Sequence, residues 1–141
     1  MSALQLPHVE TGRALPEASH TPDEVQLFLY NAALWNAHRI HFDQEYATAV
    51  EGYPALVIAG PLMGDWLVQR VEAWLGDAGR LVSFEYSNRL AGYLGETLTS
   101  GGEVTSIDRD TGHVVLTLWV HNAKGENLTP GTAVVELFGP G

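Results

Sequence analysis

The sequence predicts an α+β domain, on three observations. Helical periodicity is confined to the first half, and alternating strand-like runs fill the second. One helix, in between, is apolar nearly all round. Such a helix must be buried, so a central helix wrapped by a sheet is expected. At 141 residues the chain reads as one domain over 1–141, with 1–10 a loose N-terminal segment.

The elements follow in order. Thr21 can cap a first helix, Pro22 suits its first position and Glu24 completes a capping box. Val25, Phe28, Leu29 and Ala32 then recur at helical spacing, to about Leu34. Residues 35–42 are irregular. Asp43 can cap a brief helix through Val50, 51–54 form a turn, and 55–59 read as a short buried extended run. Gly60 and Pro61 open the longest helix, which ends near Leu75 with Gly76 as its stop. Runs 81–87, 97–107, 114–120 and 132–138 read as four strands of an antiparallel meander. Turns at 108–112 and 123–126 separate the last three.

Composition excludes several classes. Seven basic residues against 17 acidic ones leave a net charge of −10. That argues against a general nucleic-acid binder, whose affinity comes from neutralising phosphates, and against docking on anionic membranes. With 45% apolar and 17% charged residues the chain is too hydrophobic to be disordered. No cysteine means no disulfide, thiolate nucleophile or thiolate metal site. The N-terminus lacks a basic region followed by an apolar core. Apolar stretches reach about 5 residues, far short of the ~20 of a membrane span. A soluble, cytoplasmic protein is the expectation.

The densest polar cluster runs from Asn36 to Asp43 and holds His38, Arg39 and His41. Histidine titrates near neutrality and is the commonest general acid or base. Three readings stand open: a polar loop whose histidines cap backbone groups, a catalytic loop, and a metal site of His38, His41 and Asp43, which is short of ligands. The start of the long helix is a second candidate. A buried helix N-terminus offers free N–H groups where negative charge develops on a carbonyl oxygen. Pro61 has no N–H, so the donors must come from Gly60, Leu62 or Met63. Asp65 is the one charge early in that helix.

The segment LFLYNAALWNAHRIHFDQEYATAVEGYPALVIAGPLMGDWL resembles the MaoC-like acyl dehydratases and (R)-specific enoyl-CoA hydratases. That family carries a Ser-Gly-Asp-x-Asn-Pro-Ile-His motif, and a His-Gly at the start of its central helix. SFEYSNRLAGYLGETLTSGGEVTSID is similar to the strand, Gly-Asp-x-Leu and turn that follow. The resemblance spans about residues 11–137. The block Asn36 to Asp43 looks most like the branch of 3-methylfumaryl-CoA (mesaconyl-CoA) hydratase and the hydroxyacyl-thioester dehydratases.

The resemblance implies a hot dog fold and a reversible addition of water to the double bond of an acyl thioester. His41 falls on the family's catalytic histidine and Asn36 on its catalytic aspartate. His38 falls on the motif asparagine, Arg39 on its proline, and Ala59-Gly60 on His-Gly. An amide cannot take a proton, so Asn36 is expected to orient the water and His41 to act as base. Gly60, Leu62, His38 and Arg39 are the expected substrate-binding residues, with Asp43 as an accessory carboxylate. No metal is expected, and no cofactor beyond the CoA or acyl carrier protein that forms part of the substrate. The default assembly is a homodimer or a higher hot dog oligomer. Two alternatives stand beside this: a hot dog thioesterase acting through Asp65, and a non-catalytic hot dog subunit paired with an active half.

Overall fold

The computed structural model describes residues 4–139. Its five strands are β1 (Ala18–His20), β2 (Gly79–Tyr86), β3 (Leu98–Asp108), β4 (His113–His121) and β5 (Gly131–Leu137). They form one antiparallel sheet in the order β1-β3-β4-β5-β2. Two α-helices, α1 (Glu24–Ala33) and α2 (Gly60–Leu75), and several short helical turns complete the described fold.

The sheet wraps α2, as expected. β4 is the clearest strand: Val114, Leu116, Leu118 and Val120 are buried, and the residues between them are half-buried. Against that inner face α2 presents Leu62, Met63, Trp66, Leu67, Val71 and Leu75, all buried. Gly76 ends the helix at φ 51°, a conformation that favours glycine.

Strand order departs from the expected meander. β3, β4 and β5 are hairpin-connected, but β2 pairs with β5, and the unforeseen β1 pairs with β3. The reason lies in the segment after β2. It leaves the sheet and crosses to residues 56–58, where Ile58 N–H donates to Gly92 and Leu94 N–H to Leu56. Of the extended run expected at 55–59, residues 56–58 are paired in this way, with a single bridge between Val57 and Tyr93. β1 has only three residues, too few to show a period. A bulge between Leu81 and Ser83 breaks the alternation expected along β2.

α1 also differs in detail. Its cap is Asp23, whose Oδ1 accepts from Gln26 N–H at 2.8 Å. Thr21 instead turns its hydroxyl to Thr97 on the neighbouring chain segment, at 3.0 Å. Leu27 and Asn31 are the residues α1 buries, whereas Val25, Phe28 and Leu29 face outward. Of the segment expected to be loose, residues 4–10 are held: Arg109 donates to the carbonyls of Leu6 and Val9, and Val9 is buried. Residues 1–3 lie outside the described part.

Among the described residues no helix is long and apolar enough to cross a membrane.

Candidate active site

The polar loop begins where α1 ends. Trp35 N–H donates to Ala32 and Asn36 N–H to Asn31, the paired bonds of a Schellman motif. Such a motif needs a left-handed residue at its turn, and Trp35 fills it at φ 55°. Asn36 comes next. Its Oδ1 accepts from His38 N–H at 3.1 Å, an Asx turn that fixes the side chain and leaves the amide NH2 without a partner among the described residues.

A single 3-10 turn, Arg39–His41, follows. It puts Ile40 and His41 inside and leaves His38 and Arg39 exposed. Two bonds fasten it to the chain leading into α2. Val57 N–H donates to the Ile40 carbonyl at 2.9 Å. His41 Nδ1 lies 2.7 Å from the Val57 carbonyl oxygen. A carbonyl only accepts, so the proton is on Nδ1 and Nε2 carries the lone pair. Burial holds His41 below the usual histidine range; the Val57 bond opposes that shift, and the neighbouring His38 adds to it. The two imidazoles meet edge to face with centroids 5.7 Å apart.

Arg39 and Asp43 hold each other, four residues apart. The guanidinium reaches Asp43 Oδ2 at 2.8 and 3.1 Å and stacks over the Tyr46 ring at 4.3 Å. Asp43 Oδ1 accepts from Tyr46 N–H, capping the short helical segment that follows, as its position suggested. Tyr46 N–H and Arg39 together hold the Asp43 carboxyl below its usual range. Both carboxylate oxygens are thus engaged in bracing the loop.

At the head of α2 the donors sort themselves. The N–H groups of Leu62 and Met63 both turn back to the Ala59 carbonyl, and the Leu62 side chain is buried in the core. Gly60 N–H has no partner among the described residues and is only half-buried. It is therefore the free donor of the three expected there. Asn88, just past β2, lies directly against it: a Cβ on Gly60 would stand 2.1 Å from Asn88 Nδ2. Sequence reasoning missed Asn88. Its only signal was a Ser-Asn-Arg run where a strand ends.

Asp65 accepts from the Tyr30 hydroxyl at 2.7 Å, tying α2 to α1. Among the described residues no group of three or more His, Cys, Asp or Glu is placed to hold a metal ion.

A buried helix wrapped by a curled antiparallel sheet, with a polar loop fastened to its head, is the hot dog architecture. An (R)-hydratase from A. caviae involved in PHA biosynthesis has the same fold, with TM-score 0.84 and 20% identity over 93% of this chain and 98% of that one. Residues 6–93 match the family described as hydroxyacyl-thioester dehydratase type 2, and the chain belongs to that family. The mitochondrial hydroxyacyl-thioester dehydratase type 2 of Schizosaccharomyces pombe is 40% identical over 62 residues, 43% of this chain and 21% of that protein. Mesaconyl-C(4)-CoA hydratase of Chloroflexus aurantiacus is 50% identical over 48 residues, 34% of this chain and 17% of that protein. The matched part is thus about a fifth of each relative's length.

Proposed function

We propose that this chain is a hydro-lyase that adds water reversibly to the double bond of an enoyl thioester. The observation that carries the reading is His41: a buried, neutral imidazole whose Nδ1–H is committed to Val57, leaving Nε2 as a base. The hydratases and dehydratases among its relatives support the same chemistry.

In this reading the thioester carbonyl accepts from Gly60 N–H, and the dipole of the 16-residue α2 favours the charge that develops there. The free NH2 of Asn36 donates to the attacking water. His41 Nε2 takes one of that water's protons as its oxygen bonds to the β-carbon. The alkene electron pair moves onto the carbonyl oxygen as an enolate. The imidazolium returns its proton to the α-carbon, which restores neutral His41 and completes the addition of one water. Dehydration of a 3-hydroxyacyl thioester is the reverse path. His38, exposed beside His41, is assigned to the acyl or carrier end of the substrate, while Arg39 and Asp43 brace the loop.

The substrate is carried on CoA or an acyl carrier protein, and the enzyme needs no cofactor of its own. β2, at the sheet edge with Leu81, Val82 and Tyr86 exposed, suits a two-fold homodimer. A non-catalytic subunit is the second reading, favoured by the amide at position 36.

The test is loss of the conjugated-thioester absorbance with crotonyl-CoA and with a dicarboxylic enoyl-CoA, wild type against His41→Ala. Loss in the wild type only is expected. No loss with either substrate, by protein that still binds CoA thioesters, overturns the reading.

A further inference from the structure

We propose that Asn88 donates a second hydrogen bond to the thioester carbonyl, beside the Gly60 N–H; the inference rests on the hydratase reading above. Three features of the structure converge on it.

The first is position. The Asn88 amide lies across the first residue of α2, and the points nearest a Cβ on Gly60 would be Nδ2 at 2.1 Å, Cγ at 2.7 Å and Oδ1 at 3.2 Å. The nitrogen end thus faces the helix head. Any side chain at position 60 would displace it, which gives a reason for glycine there.

The second is orientation. Thr129, fully buried, has its hydroxyl within reach of Asn88 Oδ1 at 3.2 Å and of Met63 Sδ at 3.7 Å; the carboxamide oxygen is much the stronger acceptor, so the hydroxyl donates to it. With the oxygen engaged, the NH2 is the end left over. It has no partner among the described residues, and Asn88 is exposed, so the group is open to a ligand.

The third is need. A carbonyl oxygen turning into an enolate has two lone pairs to satisfy. Pro61 lacks an N–H, and those of Leu62 and Met63 are committed to Ala59, so the helix offers one donor. An asparagine amide supplies the other without titrating. The helix head is also not alone in pointing to a ligand. His41, 7% exposed and with one ring nitrogen unpartnered among the described residues, is fastened to the segment that leads into it.

The test uses Asn88→Ala and Asn88→Asp in the full chain, with two readouts. One is kcat and KM on crotonyl-CoA. The other is the red shift of a bound dimethylaminocinnamoyl-CoA, whose absorbance follows the polarisation of its carbonyl. Each variant should lose about 100-fold in kcat/KM, mostly in kcat, as removal of one oxyanion donor does. The red shift should shrink in parallel. Asn88→Asp should be no better than Asn88→Ala, because it keeps the shape and turns an acceptor toward the carbonyl. Should Asn88→Ala fold poorly, Asn88→Asp carries the test. Full kcat and an unchanged red shift in both variants, with an active wild type, would overturn the proposal. A wild type that hydrates nothing, yet shows a red shift that Asn88→Asp abolishes, would overturn the hydratase reading and sustain the carbonyl contact.

Discussion

His41 Nδ1 donates to the carbonyl oxygen of Val57 at 2.7 Å; this bond fixes the tautomer and the ring orientation and, with the Val57 N–H to Ile40 bond, fastens the loop to the chain entering α2. The ring's burial sets a pH profile. Burial holds the ring below the ordinary histidine value, so His41 is neutral at pH 7. A base works only when deprotonated, so kcat/KM for crotonyl-CoA hydration should rise with pH and level off by neutrality. The midpoint should lie below the usual value of about 6.5. His41→Gln should cost about 100-fold to 10,000-fold and remove the inflection. A wild-type midpoint above 7 would contradict the assignment of the base.

Asn36 offers a sharper contrast. Its Oδ1 accepts from His38 N–H, a role an aspartate fills equally well, so Asn36→Asp should preserve the turn and the melting temperature. What changes is the other end: a donor becomes an acceptor that can share a proton. Asn36→Asp should therefore stay active and gain a second, acidic inflection in its kcat profile. Asn36→Ala loses both the turn and the proposed water contact and should fall at least about tenfold, within the range for a positioned polar group. Equal activity of Asn36→Ala and wild type would show that the water is held elsewhere.

Trp35 is a stability prediction with the site left alone. It occupies the left-handed position of the Schellman turn and is 94% exposed, so it repays the strained backbone with almost no burial. The left-handed conformation costs a non-glycine residue about 1–2 kcal/mol. Trp35→Gly should stabilise by about 1 kcal/mol, raising Tm by about 3–5 °C for a domain of this size. A scanning melt of both proteins decides it; a lower Tm for the glycine variant would mean that the indole is covered by a partner in solution.

The elements with a strong period or a strong stop were legible in the chain itself. α2 shows both, apolar nearly all round and halted by Gly76, and its observed limits match the expected ones. β4 alternates cleanly because one face meets α2. Pairing was not legible: β2 joins β5 because the segment after it leaves the sheet to meet Leu56 and Ile58, a long-range contact without local signature. The outward face of α1 was hidden for a related reason, since Val25, Phe28 and Leu29 have the right spacing for a core face and only the packing of Leu27 and Asn31 decides otherwise. In the site, the residue types around His41 were visible as a cluster. The division of labour among them was not, because which side chains brace the loop and which are left with an open nitrogen depends on what each touches in the fold. Asn88 arrives from 28 residues beyond Gly60 in sequence, and proximity of that kind leaves no local trace.

Stability should fall on mild acidification, and histidine is the reason. His41 is held low by burial, and so is His20, by burial first and then by the Arg70 charge. His20 stacks on Trp66 with centroids 4.0 Å apart and shares a 2.8 Å hydrogen bond with the buried Ser100. As pH drops through about 6.5 the unfolded chain takes up protons that the folded chain refuses, so folding loses free energy until the folded-state values are reached. The depressed carboxyls of Asp43 and Asp108 act elsewhere: their contribution is present above the usual aspartate value of 3.8 and is lost only as pH falls below it. Between pH 7 and pH 5 the histidines therefore dominate. Tm should drop over that interval in the wild type, and the drop should be smaller in His20→Gln and in His41→Gln, whatever their absolute Tm. The comparison is of slopes, not of values, so loss of packing in either variant does not confuse it. An undiminished slope in both variants would place the acid sensitivity outside these two rings.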